Sequence, residues 1–416
     1  MKEDIIAGLD IGSTEIRLVV GQKKEDGLQI IGATSVPSEG VNKGVVKSID
    51  DATSSISACL EKGERLIGVP INNVWININD PQVKCDRSEG VAAVGKNDGE
   101  ISKEDMDRAI EAARALSGPA NYEILHVIPV KFTVDSQEDI KDPVGMSGIR
   151  LKVDTLIAQG ISNQIKNLTK TVYRTGVENI EDLVLSPLAS AEPVLSSKQK
   201  ELGVAVVNIG ASTTGISVYE EGTLIHAAVL PLGSEHITGD VAIGLRCPIN
   251  LAERIKLEFG DAVPGNYDGK DEVDISGIAK EEEVEDDAGT ISKKYVAEII
   301  EARVEEIFEK VDEELAKVGR SGMLPAGVLV VGGGSKLSGI SEVAKSKLKL
   351  PVSIGQCRNM DLVIDKANDP VFLTSLGLVL WADREIDRRG DERGSIGEMG
   401  GKFLEKIKHW ISQLMP

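Results

Sequence analysis

IAGLDIGSTEIRLVVG (6–21) and VAVVNIGASTTGISVY (204–219) are two versions of one pattern. Each is an apolar strand, then Asp or Asn, Ile, Gly, small hydroxyl residues and a second strand. Asp10 matches Asn208 and Gly12 matches Gly210, at an offset of 198 residues. A domain present in two copies explains the repeat, and each copy offers a hairpin tip. Such tips suit phosphate, because glycine lets the chain turn tightly and bring N–H groups against an anion. The hydroxyls of Ser13, Thr14, Ser212 and Thr213, beside Ala211, add donors. Asp10 is suited to hold Mg²⁺ through its waters.

A third glycine turn, VVGGGSKLSGI (330–340), reads as strand, glycine, helix. Gly333, Gly334 and Ser335 would let a flat ligand lie against the chain at a helix N-terminus. It is neither a Walker loop nor a complete dinucleotide fingerprint. Each turn alone is weak evidence. Three in this order, the first two repeated, specify a nucleotide in a cleft between two halves.

The bulk numbers agree. A chain of 416 residues calls for more than one domain. Aromatics make up 3% of it, so its cores must be built from Val, Ile, Leu and Ala. A formal charge of −20 argues against a nucleic-acid partner. Cys59, Cys85, Cys247 and Cys357 lack metal or redox spacing and read as thiols in a reducing cytosol. The first residues do not read as a signal peptide, and no run of about 18 apolar residues would span a membrane.

Strands are expected at 5–10, 16–21, 28–36 and 74–78, with a helix within 50–62. Residues 82–159 read as an insertion with its own pattern: a helix over 101–116, capped by Ser102 and Asp105, and long strands at 122–135 and 149–160. Helices follow at 161–176 and 187–195, three strands over 203–233, and a helix-rich stretch at 235–260. Residues 261–290 read as a loop, solvated at EEEVEDD (281–287). A long amphipathic helix covers 291–319, and 383–401 reads as a flexible linker. The fold class is α/β.

These motifs resemble those of the actin, sugar-kinase and heat-shock-chaperone ATPase superfamily. DIGSTEIRLVVG is similar to its first phosphate motif, with Arg17 where actin carries a basic residue. NIGASTT resembles the second phosphate motif, and VVGGGSKLSGI the adenosine motif. AERIK (252–256) resembles the helix that contacts ribose and base, here through Glu253 and Lys256. Within the superfamily the chain is most similar to the bacterial FtsA division family, on PLASAEPVLSSKQKELGVAVVNIG (187–210), EIIEARVEEIFEKV (298–311), the inserted region and the tail. The resemblance implies an actin-like two-domain fold with duplicated sheet domains flanking a nucleotide cleft and an inserted α/β subdomain. The first half would comprise 1–81, 160–199 and 366–382, and the insert 82–159. The second half would comprise 200–234 and 323–365, with a helical subdomain at 235–322. ATP would meet the three motifs and Gly233, with Mg²⁺ at Asp10. The family further implies a filament that tethers the FtsZ ring to the inner face of the cytoplasmic membrane at the division site. Arg303 would contact the acidic FtsZ C-terminal peptide, and the insert other division proteins. Asn208, Gly215 and Ser186 stand where the superfamily often carries acids, so the expected activity is at most a slow ATPase.

The tail GKFLEKIKHWISQLMP (401–416) places Phe403, Leu404, Ile407, Trp410, Ile411 and Leu414 on one helical stripe. Lysines lie opposite, and about 14 helical residues reach roughly 21 Å, too short to span a bilayer. The pattern suits an amphipathic helix lying on anionic lipid, or one docked on its own domain. A pilus-assembly adaptor of the PilM type and a small-metabolite kinase are the alternative functions. The terminal helix argues against the first, and the second leaves the tail without a role.

Overall fold

The computed structural model describes residues 5–24, 27–95, 99–115, 118–283, 289–358 and 364–394. The chain starts with β1 (Ile5–Ile11), β2 (Glu15–Lys24) and β3 (Gly27–Pro37). A small hairpin, β4 (Val41–Asn42) and β5 (Val45–Val46), precedes α1 (Ile49–Ile67) and β6 (Asn73–Ile78). The insertion holds β7 (Lys84–Ala93), α2 (Lys103–Ala115), β8 (Tyr122–Val134), β9 (Gln137–Ile140) and β10 (Arg150–Ile161). The chain then forms α3 (Ser162–Tyr173), β11 (Asn179–Leu185), α4 (Ser186–Ala191) and α5 (Ser197–Leu202).

The second half begins with β12 (Val204–Ile209), β13 (Thr214–Glu220) and β14 (Thr223–Leu230), followed by α6 (Ser234–Leu245) and α7 (Ile249–Phe259). Next come β15 (Glu272–Asp274), α8 (Ser276–Glu281), β16 (Thr290–Ser292) and the long α9 (Lys293–Lys317). It ends with β17 (Val328–Val331), α10 (Ile340–Leu348) and β18 (Val352–Ile354), and α11 (Leu373–Gly394) follows.

The repeat seen in the sequence is a repeat of topology. One sheet runs β3-β2-β1-β6-β11 and the other β14-β13-β12-β17-β18. In each, the first two pairings are antiparallel and the last two parallel. β1 therefore corresponds to β12, and β6 to β17. The cores are aliphatic, as the composition requires; Phe308 on α9 is the largest fully buried side chain. The insertion builds a separate sheet, β7-β10-β8-β9, with α2 packed on it. The α2 cap has the expected geometry: Asp105 Oδ2 accepts from Ser102 N at 2.9 Å and from Ser102 Oγ at 2.7 Å.

α11 reaches the body through glycine contacts. A Cβ on Gly8 would lie 2.3 Å from the Ser375 carbonyl oxygen, and one on Gly377 would lie 1.8 Å from that of Ala189. The helix therefore rests directly on β1 and on α4, the element between the two sheets.

Three expectations need correction. Residues 383–394 belong to α11 and are not linker. Three of their charges, which suggested solvation, pair with the body: Lys23 with Asp383 at 2.9 Å and also with Asp387, and Arg384 with Glu192 at 2.9 Å. Residues 261–290 carry short elements instead of a bare loop, and Arg254 engages Glu281 and Glu282 of the acidic run at 3.1 and 3.3 Å. After β17 the chain makes a 3-10 turn, Gly333–Lys336, and the α-helix starts only at Ile340. Residues 395–401 and the amphipathic stripe from Phe403 to Leu414 lie outside the described residues.

Candidate functional site

The two hairpin tips meet. Register pairs Asp10 with Arg17 on β1–β2 and Asn208 with Gly215 on β12–β13. At the turns, Ser212 Oγ donates to Ser13 Oγ at 2.7 Å, and Thr14 Oγ1 donates to Glu235 Oε1 at 3.0 Å. The second tip is closed by Gly210 N–H on the Thr213 carbonyl at 2.9 Å. Hydroxyls from residues roughly 200 positions apart thus share one small surface, as a phosphate cradle requires.

Asp10 sits at the floor, 8% exposed. Its Oδ1 accepts from Asn77 Nδ2 at 2.7 Å, while Oδ2 lies 4.0 Å from the Arg17 guanidinium. Burial pushes its pKa up to about 6, against the opposing pull of Arg17. Arg17 is itself held by Glu15 at 2.6 Å, and its buried Nε has no hydrogen-bond partner among the described residues. The carboxylate keeps one oxygen free of short hydrogen bonds, so the donor set fits a hydrated divalent cation.

The second tip is fixed to α6. Ser234 N–H donates to the Gly210 carbonyl at 2.9 Å and Glu235 N–H to that of Ala211 at 2.7 Å. Gly233 leaves room for this, since a Cβ there would lie 2.5 Å from the Ala211 oxygen. Farther along, Lys256 Nζ pairs with Glu253 at 2.6 Å and donates to Thr238 Oγ1 at 2.8 Å. The third turn packs on the second tip, with Gly332 (φ 82°) so near Asn208 that a Cβ would lie 2.3 Å from Asn208 Oδ1. Gly334 is packed as tightly on Ile209, while Gly333 has room for a Cβ. Behind that turn, Ser338 and the loop after α7 are joined by Ala262 N–H on the Ser338 carbonyl at 2.8 Å. The three motifs and the α7 pair are therefore joined by a continuous chain of contacts.

Not every nominated side chain faces it. Ser335 Oγ is buried and donates to the Gly332 carbonyl at 2.7 Å, which closes its own turn. Arg303 lies on α9, where its Nε and Nη2 hold Asp240 on α6 at 2.5 and 2.9 Å, and Nη1 holds Glu306. The three neutral positions each have a packing account. Asn208 Nδ2 donates to Thr374 Oγ1 at 3.1 Å, Ser186 Oγ accepts from Asn77 at 2.9 Å, and a Cβ on Gly215 would lie 2.9 Å from Pro187 Cγ.

Sequence reading missed Asn77, Asn79, Glu235 and Thr238. Asn77 is buried and also accepts from Ile11 N–H at 2.7 Å; Asn79 Nδ2 donates to Thr213 Oγ1 at 2.6 Å. A signal existed. In the duplicated topology the end of β6, NIND (77–80), occupies the place of the glycine turn after β17, and asparagines in an apolar strand are out of pattern.

Comparison with known proteins places this geometry. A chain from Bacillus subtilis described as cell division protein FtsA is 36% identical over 94% of this chain and 86% of its own length. The chain belongs to the FtsA family of cell division proteins. A relative of the same description from Pseudomonas aeruginosa is 31% identical over 98% of this chain and 97% of its own. The family model for cell division protein FtsA matches residues 205–377, and that for the SHS2 domain inserted in FtsA matches 81–158, the separate sheet described above. Among solved structures, the PilM–PilN type IV pilus biogenesis complex shares the fold with a TM-score of 0.64 at 15% identity, over 91% of this chain and 98% of that one. MreB5 of Spiroplasma citri bound to AMPPNP shares it with a TM-score of 0.56 at 12% identity, over 94% and 99%. The fold is the actin-like two-domain architecture with an inserted α/β subdomain.

Proposed function

We propose that the chain binds Mg-ATP in the cleft, polymerises, and tethers the FtsZ ring to the cytoplasmic face of the inner membrane at the division site. The carrying observation is the 2.7 Å approach of Ser13 to Ser212, which joins two phosphate-type tips into one cradle. The AMPPNP bound to MreB5 and the double helical filament formed by MamK, which shares the fold at a TM-score of 0.52, support nucleotide binding and assembly. Backbone N–H groups of the tips would bind the phosphates, Asp10 would hold the waters of Mg²⁺, and Glu253 and Lys256 would meet the ribose and base. The bound cation supplies charge neutralisation at the phosphates. Hydrolysis is slow, because Asn208, Gly215 and Ser186 offer no carboxylate to orient a water. Turnover near a typical enzyme rate of about 10 per second contradicts this.

Two contacts complete the reading. The FtsZ C-terminal peptide, being acidic, meets Arg303 by replacing Asp240. The 402–416 helix lies on anionic lipid through Phe403, Leu404, Ile407, Trp410, Ile411 and Leu414, with lysines on its other side. One such helix binds reversibly, and a filament presenting many binds far more tightly. No helix among the described residues is long and apolar enough to cross a membrane. Electron microscopy of the chain with ATP on lipid monolayers tests the whole reading. Membrane-bound filaments that vanish when 402–416 is deleted, with nucleotide binding intact, are expected. Filaments that stay on lipid without the tail overturn the tethering role.

A further inference from the structure

The β4–β5 hairpin belongs to none of the three glycine motifs, yet it stands where two of them meet. Its two tip residues, Lys43 and Gly44, have φ of 49° and 70°, as the type I′ turn of a two-residue hairpin requires. Gly44 N–H donates to Ser13 Oγ at 3.4 Å. A Cβ on Gly44 would lie 2.0 Å from the Asn79 carbonyl oxygen, so the tip rests on Asn79, whose side chain bonds Thr213 of the second tip. The hairpin is therefore seated over the cradle.

Lysine is a poor choice for the first position of that turn, which favours Asn, Asp or Gly. An unfavoured backbone state held at a ligand site points toward function. The charge balance points the same way. Around the cradle stand Asp10, Glu15 and Glu235, and two cations there are already engaged: Arg17 by Glu15 at 2.6 Å and Lys256 by Glu253 at 2.6 Å. Lys43 is exposed and forms no ion pair with the described residues. Its flexible four-carbon stem carries a compact cation suited to a phosphate.

We infer that Lys43 is a ligand of the terminal phosphate and makes the cleft prefer a nucleoside triphosphate over a diphosphate. The inference rests on the nucleotide reading of the same cleft. Gly44 N–H lies beside it as a second donor, released to the phosphate when the Ser13 hydroxyl turns toward the ligand. Because the hairpin also sits on Asn79, and through it on the second tip, loss of the terminal phosphate removes one tie between the two halves.

The test is calorimetric titration of the full chain with Mg-ATP and Mg-ADP. Lys43→Asn removes the charge and suits the left-handed turn better than lysine, so misfolding is not the confounder; Lys43→Arg keeps the charge. The expected result is an ATP affinity about tenfold or more weaker in K43N, with ADP within about twofold of wild type and K43R close to wild type for both. Equal losses for the two nucleotides, or no loss for either, overturn the assignment while the nucleotide reading stands. A wild-type chain that binds neither nucleotide overturns both.

Discussion

Replacing Asn77 with alanine tests whether the floor of the cleft is built as described. The side chain is 3% exposed and makes three hydrogen bonds: from Ile11 N–H at 2.7 Å, to Asp10 Oδ1 at 2.7 Å and to Ser186 Oγ at 2.9 Å. Truncation leaves a buried N–H without an acceptor and a buried carboxylate without its donor. An unsatisfied buried polar group costs about 1–3 kcal/mol, and bonds to charged groups lie in the upper part of that range. The neutral hydroxyl of Ser186 adds little, because its oxygen only loses a donor and carries no charge. The sum is about 3–5 kcal/mol, a large part of the 5–15 kcal/mol that typically separates folded from unfolded states. Urea denaturation followed by tryptophan fluorescence is the assay, since Trp75 is buried on the same strand. ATP affinity should fall as well, because the first tip loses the group that positions Asp10. A destabilisation below about 1 kcal/mol refutes the network.

Other perturbations separate packing from chemistry. Gly215→Asp, which restores an acid common in the superfamily, should destabilise the chain without raising ATP turnover, because its Cβ would lie 2.9 Å from Pro187 Cγ; a thermal melt and an ATPase assay decide this. Gly377→Ala drives a Cβ to 1.8 Å from the Ala189 carbonyl oxygen, so α11 must shift, at a cost of about 3 kcal/mol or more; an unchanged melting temperature contradicts the seating of α11. The Asp105 carboxyl is held at about 2, below its ordinary 3.8. Burial raises it, but the bonds from Ser102 and Gly95 and the charge of Arg108 outweigh that effect. A depressed acid stabilises above its unfolded pKa, so α2 should lose protection as pH falls from about 4 through 2. Hydrogen exchange of α2 amides in wild type and Asp105→Asn measures this, and the two should converge at the low end.

The duplicated sheets, the two tips and the insertion were legible in the sequence because each depends on local order. An apolar strand, a glycine turn and a second strand specify a hairpin wherever they occur, and repetition of the pattern predicts repetition of topology. The Ser102–Asp105 cap was legible for the same reason, since both partners lie within one helical turn. Asn77 was not, because its partners Asp10 and Ser186 are 67 and 109 residues away. Residues 383–394 read as linker because their charges suggested water, whereas Asp383, Arg384 and Asp387 find partners at Lys23 and Glu192 once α11 crosses the first half. The partner that Arg303 holds in the folded chain, Asp240 on α6, was not legible either, because it lies 63 residues away.

The sequence alone determined which segments become strands and tips and that two copies would exist, because backbone preference and hydrophobic period act over a few residues. Tertiary structure alone decided which polar groups face the cleft and which are occupied. A hydroxyl, amide or charge has no assigned role until folding brings up a partner within about 3 Å or leaves it without one.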